Sequence, residues 1–230
     1  MLKVCGMRDA ANIRDVERLG PDLMGFIFWP RSSRYVAAVP GYMPTSCRRV
    51  GVFVDEDIER VCDTADVFGL HVIQLHGHES PDYILRLRHA AASLPHVVGQ
   101  GGEPAVIKAF SIATAGDLAL TAPYTGVADM LLFDTKAQLP GGTGCSFDWS
   151  VLNAYEGDTP FLLSGGIGPD DVPRLQAFCQ TCPGHVAECL AGIDINSRFE
   201  TAPAMKDVHM LRCFFDRLGR TTEHNKPQKQ

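Results

Sequence analysis

The sequence predicts an α/β protein, a single-domain (β/α)8 barrel with its active site at the C-terminal mouth of the strands. Three observations carry this. Eight short apolar runs alternate with stretches of helical periodicity along the chain. The length, 230 residues, is near the roughly 250 typical of such a barrel. No domain-sized change of composition interrupts the alternation. The barrel is expected to span 1–219, followed by a polar tail, 220–230, with no apolar period.

Leu2 to Cys5 reads as the first strand, and Asp9 as the N-cap of a helix that Gly20 stops. Leu23 to Phe28 is the second strand; Pro40, Gly41 and Pro44 leave little room for a regular helix after it. Val50 to Val54 is the third, with Ile58, Val61, Cys62 and Ala65 at helical spacing until Gly69. His71 to Leu75 is the fourth, ending at His76 and Gly77, and Ser80-Pro81 opens the next helix. Ser93 to Pro104 reads as a surface excursion, Val106 to Phe110 as the fifth strand, and Thr114 as the start of a short helix. Met130 to Phe133, four apolar residues, is the sixth, which Asp134 is expected to end; Asp148 caps the helix beyond. Phe161 to Leu163 is the seventh, followed by a helix from Pro169, and Leu190 to Ile195 is the eighth. Met205, Val208, Leu211, Phe215 and Leu218 are expected on one closing helix.

Composition narrows the functional classes. A net charge of -6, a pI near 5.7 and no Lys/Arg run argue against nucleic acid or an anionic membrane as the main partner. The N-terminus lacks the pattern of a signal peptide, and no stretch has the roughly 18 apolar residues of a membrane span, so a cytoplasmic setting is expected. Eight scattered cysteines fit reduced thiols. Cys179, Cys182, His185 and Cys189 are four zinc-capable residues, but their spacing matches no zinc motif, and Cys189 is expected to open a buried strand. No metal is assigned.

In a barrel of parallel strands every strand's carboxyl end faces one mouth. That places Cys5, Arg34, His76 and Asp134 together, with Cys5 and Asp134 three strands apart around the ring. Three loops suit a phosphate: Gly142, Thr143 and Gly144; Gly165 and Gly166; and Asp194, Asn196 and Ser197. No nucleotide-binding glycine motif is present, so the phosphate reads as a handle rather than the reacting group.

The segments KVCG (3–6), PRSSRYV (30–36), VGVFV (50–54), QLHG (74–77), LFDT (132–135), GGTG (141–144), FDWS (147–150), SGG (164–166) and DINS (194–197) run nearly end to end. Together they resemble the phosphoribosylanthranilate isomerases of tryptophan biosynthesis, a TIM-barrel family. The resemblance implies an Amadori rearrangement of N-(5-phosphoribosyl)anthranilate to 1-(2-carboxyphenylamino)-1-deoxyribulose 5-phosphate. It puts the general base on Cys5, the general acid on Asp134 and the anthranilate-carboxylate arginine on Arg34, with His76 beside the substrate and no cofactor required. The acid must be protonated as the ribose ring opens, and a partly dry mouth is expected to raise its pKa from about 4. An indole-3-glycerol phosphate synthase partner is left open.

The chain departs from the family pattern at Pro40 and Pro44, at residues 93–104, and at Asn196 and Arg198, where serine and glycine are common. Two alternatives compete. A sister isomerase of histidine biosynthesis uses an aspartate on strand one, where this chain has Cys5. A noncatalytic barrel that binds a phosphoribosyl ligand would keep the glycine loops and need neither Cys5 nor Asp134.

Overall fold

The computed structural model describes residues 1–92, 103–135 and 148–220. Eight strands, β1 (Leu2–Val4), β2 (Leu23–Ile27), β3 (Arg48–Phe53), β4 (Val72–Leu75), β5 (Ala105–Ile112), β6 (Met130–Thr135), β7 (Phe161–Ser164) and β8 (Leu190–Ile195), close in chain order into a barrel. All neighbours are parallel, and β8 closes on β1 with Asp194 opposite Lys3. The expected fold class is therefore the observed one. No helix among the described residues is long and apolar enough to cross a membrane.

Two-residue alternation divides the core. Leu23, Val50, Val72, Ile107, Leu132 and Leu162 fill the barrel interior, while Val4, Phe26, Phe53, Ile73, Leu131, Phe133 and Leu163 pack outward under the helices. The same parity carries inward whatever follows at the strand tops. On β6 the inward set is Met130, Leu132 and Asp134; on β4 it is Val72 and Gln74; on β1 it is Lys3, with Cys5 next in step.

Local signals explain the helices. Asp9 caps Ala10–Glu17 by accepting from the Asn12 N–H at 2.8 Å, and Gly20 follows at φ +74°. Ile58–Phe68 ends on Gly69 in the left-handed region, and Ser80 caps Pro81–Ala91. Between β2 and β3 there is no helix. The Glu17 carboxylate instead satisfies that segment, accepting from the Thr45 and Ser46 N–H groups at 2.6 Å each and from the Tyr42 hydroxyl.

Several boundaries differ from expectation. Asp134 does not end β6: Ser111 and Ile112 of the eight-residue β5 pair with Asp134 and Thr135 and extend it. The helix expected from Pro169 runs Val172–Thr181, after a turn in which Asp171 accepts from the Gly168 N–H at 2.7 Å. Cys189 ends a short helix, Gly184–Cys189, rather than opening β8. Met205 is not on the closing helix, which runs Val208–Arg217 and is capped by Asp207. It lies in a hairpin, β9 (Glu200–Ala202) with β10 (Met205–Lys206). Arg220, the last described residue, donates to Asp22 at 2.7 Å; the expected tail beyond it lies outside the described residues.

Candidate active site

A cavity of about 250 Å³ opens at the C-terminal mouth. Cys5, Gln74, His76, Asp134, Ser164, Gly165, Gly166, Asp194, Asn196, Ser197 and Arg198 line it, with Ile27, Val52 and Ile167 as apolar wall. The sequence-derived residues thus converge, with two qualifications. Arg34 is not in the lining, and residues 142–144 lie outside the described residues.

Cys5 is 4% exposed. Gly25 on β2 makes room for it, since a Cβ there would stand 2.7 Å from the Cys5 sulfur. Burial pushes the thiol's pKa up; Lys3 and Lys206 pull it down and Asp194 adds to the rise, so the net shift is upward. Burial at this position therefore favours the thiol over the thiolate.

Beneath Cys5 lie two buried lysines that the sequence-derived set does not single out. Lys3, fully buried, pairs with Asp194 at 2.9 Å, and Ser164 Oγ donates to the other Asp194 oxygen at 3.3 Å. Asp194 was expected among the phosphate ligands, but its carboxylate is an acceptor already committed to an ammonium. Burial alone would lower the Lys3 pKa; Asp194 and Cys5 outweigh it, and the net shift is upward. Lys206, also buried, donates to Asn196 Oδ1 at 2.8 Å and to Glu200. Its backbone exchanges two hydrogen bonds with the Asn12 amide. A lysine in step with Cys5 on an otherwise apolar strand was the readable signal for Lys3. Lys206 gave none, because its partners are set by the hairpin.

Arg34 is held at the rim. Its Nε donates to Glu200 Oε1 at 2.9 Å and its Nη2 to Oε2 at 2.6 Å, leaving Nη1 with only a long contact to Ser33 Oγ at 3.5 Å. Gly6, at φ +77°, lets this loop meet β8's loop: a Cβ there would strike Asn196 Oδ1 at 2.6 Å and Arg34 Cδ at 2.7 Å.

His76 faces Asp134 across 3.6 Å, Nε2 to Oδ2, too long for a hydrogen bond. On its other side Nδ1 lies 3.3 Å from Gln74 Nε2. The turn below is clamped by a buried pair: Glu79 accepts from the Gly77 N–H at 3.0 Å, and Lys108 donates to the Gly77 carbonyl at 2.8 Å and pairs with Glu79 at 3.2 Å.

Gly165 and Gly166 adopt φ +94° and +66°, a conformation glycine enters without steric cost. In the cysteine cluster, Cys182 points to the Cys179 carbonyl, Cys189 to that of Gly157, and His185 to that of Tyr155. No group of three or more metal-capable side chains is assembled among the described residues.

Residues 2–217 match the family model described as N-(5'phosphoribosyl)anthranilate (PRA) isomerase. The chain belongs to this family. It is an isomerase of tryptophan biosynthesis. A relative from Phocaeicola vulgatus, named N-(5'-phosphoribosyl)anthranilate isomerase, is 47% identical over 218 residues, covering 95% of this chain and 97% of the relative. The crystal structure of the phosphoribosyl anthranilate isomerase from Thermotoga maritima matches with a TM-score of 0.73 at 27% identity, covering 96% and 98%. Another isomerase structure, in complex with reduced 1-(o-carboxyphenylamino)-1-deoxyribulose 5-phosphate, matches at 0.71 and 25% identity over 96% and 98%.

Proposed function

We propose that this mouth carries out the Amadori rearrangement of N-(5-phosphoribosyl)anthranilate by general acid–base catalysis, with Asp134 as acid and Cys5 as base. The observation that supports it is that these two side chains, three strands apart around the ring, line one cavity of about 250 Å³. An acid and a base on opposite walls reach, from two sides, the two ring neighbours of C1′ in a bound sugar, the ring oxygen and C2′.

Asp134 gives its proton to the ribose ring oxygen while the anilinic nitrogen pushes the ring open. The iminium that results is cationic and acidifies the C2′ hydrogen. Cys5, as thiolate, takes that proton and leaves an enolamine, which tautomerises to the ketone. Burial opposes a thiolate in the empty site, so the base needs the positive charge of the iminium beside it, added to that of Lys3 and Lys206.

Arg34 receives the anthranilate carboxylate through Nη1 while Glu200 fixes the plane of its guanidinium. His76 holds the Asp134 side of the substrate. Backbone N–H groups of Gly165 and Gly166, together with Asn196 and Ser197, receive the phosphate, while Asp194 positions Lys3; Gly142, Thr143 and Gly144 join them on the family resemblance alone. A cytoplasmic setting belongs to the same reading, supported by the seven described cysteines being free thiols.

The test is loss of fluorescence of N-(5-phosphoribosyl)anthranilate made in situ, with a metal chelator present. Conversion well above spontaneous decay, with the product, an isomer of the same mass as the substrate, identified by chromatographic separation and NMR, is the expected result. Binding without conversion would leave a noncatalytic ligand-binding barrel as the better account.

A further inference from the structure

A phosphate monoester carries close to two negative charges near neutral pH, and this mouth is poorly prepared for them. The chain's net charge is -6. Two of the lining residues, Asp134 and Asp194, are carboxylates, and the buried Lys3 is taken up by Asp194 at 2.9 Å, so it offers the phosphate no free charge. Among the described residues that line the cavity, Arg198 is the one lysine or arginine.

Its surroundings set Arg198 apart from the other arginines nearby. Arg34 is held by Glu200. Arg174 pairs with Asp171 and lies over the Trp149 ring at 3.7 Å. Arg198 has neither an ion pair nor a hydrogen bond within the described residues, and it is exposed. Its Cβ and Cγ lie 3.7 and 3.8 Å from where a Cβ on Gly168 would be, so its stem rests against the loop after β7. On that loop stand Gly165 and Gly166, with Ser197 next to Arg198 on the other side.

We propose that Arg198 is a phosphate-binding residue, its guanidinium closing the β7–β8 end of the cavity over the phosphate monoester of the ligand. The inference rests on the substrate reading above and adds to it a side-chain cation. Fork-shaped donors match phosphate oxygens in pairs, and a charge-assisted pair is strongest where nothing else competes for the donor. The consequence is specificity: affinity for a phosphorylated sugar should depend on Arg198, and affinity for the bare sugar should not.

Calorimetric titration with ribose 5-phosphate, and with ribose as control, tests this on the native chain, Arg198→Ala and Arg198→Lys. The Ala variant should bind ribose 5-phosphate about tenfold more weakly or worse, the Lys variant should fall between, and any weak binding of ribose should not move. The native affinity should also fall with added salt more steeply than that of the Ala variant. In turnover, loss in the Ala variant should fall on KM more than on kcat. Affinity for ribose 5-phosphate within twofold of native in the Ala variant would overturn the proposal, even if turnover is normal. Loss of phosphate affinity in a chain that does not convert substrate would instead sustain Arg198 and remove the reaction assigned above.

Discussion

The Lys3–Asp194 pair is the sharpest place to perturb the barrel. Both side chains are buried, at 0% and 7% exposure, and 2.9 Å apart. Replacing one partner strands the other charge in the interior, which costs about 3–5 kcal/mol. A second route gives the same scale. Asp194→Asn leaves Lys3 to become neutral at pH 7, which from a reference pKa near 10.4 costs about 5 kcal/mol. Lys3→Met leaves the buried Asp194 carboxylate with the Ser164 hydroxyl but without its cation, a loss on the same scale of about 3–5 kcal/mol. For a chain of this length a loss of that size lowers Tm by about 6–20 °C. Substituting both by apolar residues of similar volume removes both charges, so Lys3→Met with Asp194→Leu should recover most of the loss. Urea unfolding of the native chain, the two single variants and the double one measures this directly. Single variants within about 1 kcal/mol of native, or a double variant as unstable as the two losses added, would refute the reasoning.

Three further outcomes follow from the same geometry. Gly25→Ala puts a methyl 2.7 Å from the Cys5 sulfur; turnover should drop about a hundredfold while stability falls by about 1–3 kcal/mol, read by assay and urea midpoint together. Because the Cys5 thiol is shifted upward from 9.0, its alkylation by iodoacetamide in the empty enzyme should stay slow at neutral pH and rise only at a pH above that of an ordinary thiol. Lys3→Met should move that rise further up. Glu17 and Glu200 are held below the usual carboxylate range, against the pull of burial, by the Tyr42 and Ser46 donors and by Arg34 and Lys206 respectively. Their stabilisation is present above the unfolded carboxylate pKa and is lost as pH falls through the depressed values, so urea midpoints should fall on acidification and Glu17→Gln should flatten that slope.

The barrel was legible because strand alternation, helix caps and apolar period are local properties. Asp9, Ser80 and Gly69 act within a few residues of where they stand. The same locality explains the misses. Whether Asp134 ends β6 depends on the length of β5, which sequence near Asp134 does not encode. Met205, Val208 and Leu211 are spaced as a helix would space them, yet Met205 pairs with Ala202 because Lys206 is anchored on Asn12, 194 residues away. At the site, Cys5, His76 and Asp134 followed from strand ends alone. The ion pairs beneath them join residues remote in sequence, Lys3 to Asp194 and Arg34 to Glu200 across 191 and 166 positions, and only the closed barrel brings them together.

Asp134 and Cys5 are proposed to move protons rather than merely shape the cavity. The most direct measurement compares kcat of Asp134→Asn and Cys5→Ala with calorimetric affinity for reduced 1-(o-carboxyphenylamino)-1-deoxyribulose 5-phosphate. In each variant kcat should fall by about a hundredfold or more, with affinity for the analogue within a few-fold of native. Near-native kcat in either variant, or affinity falling in proportion to rate, would contradict those roles.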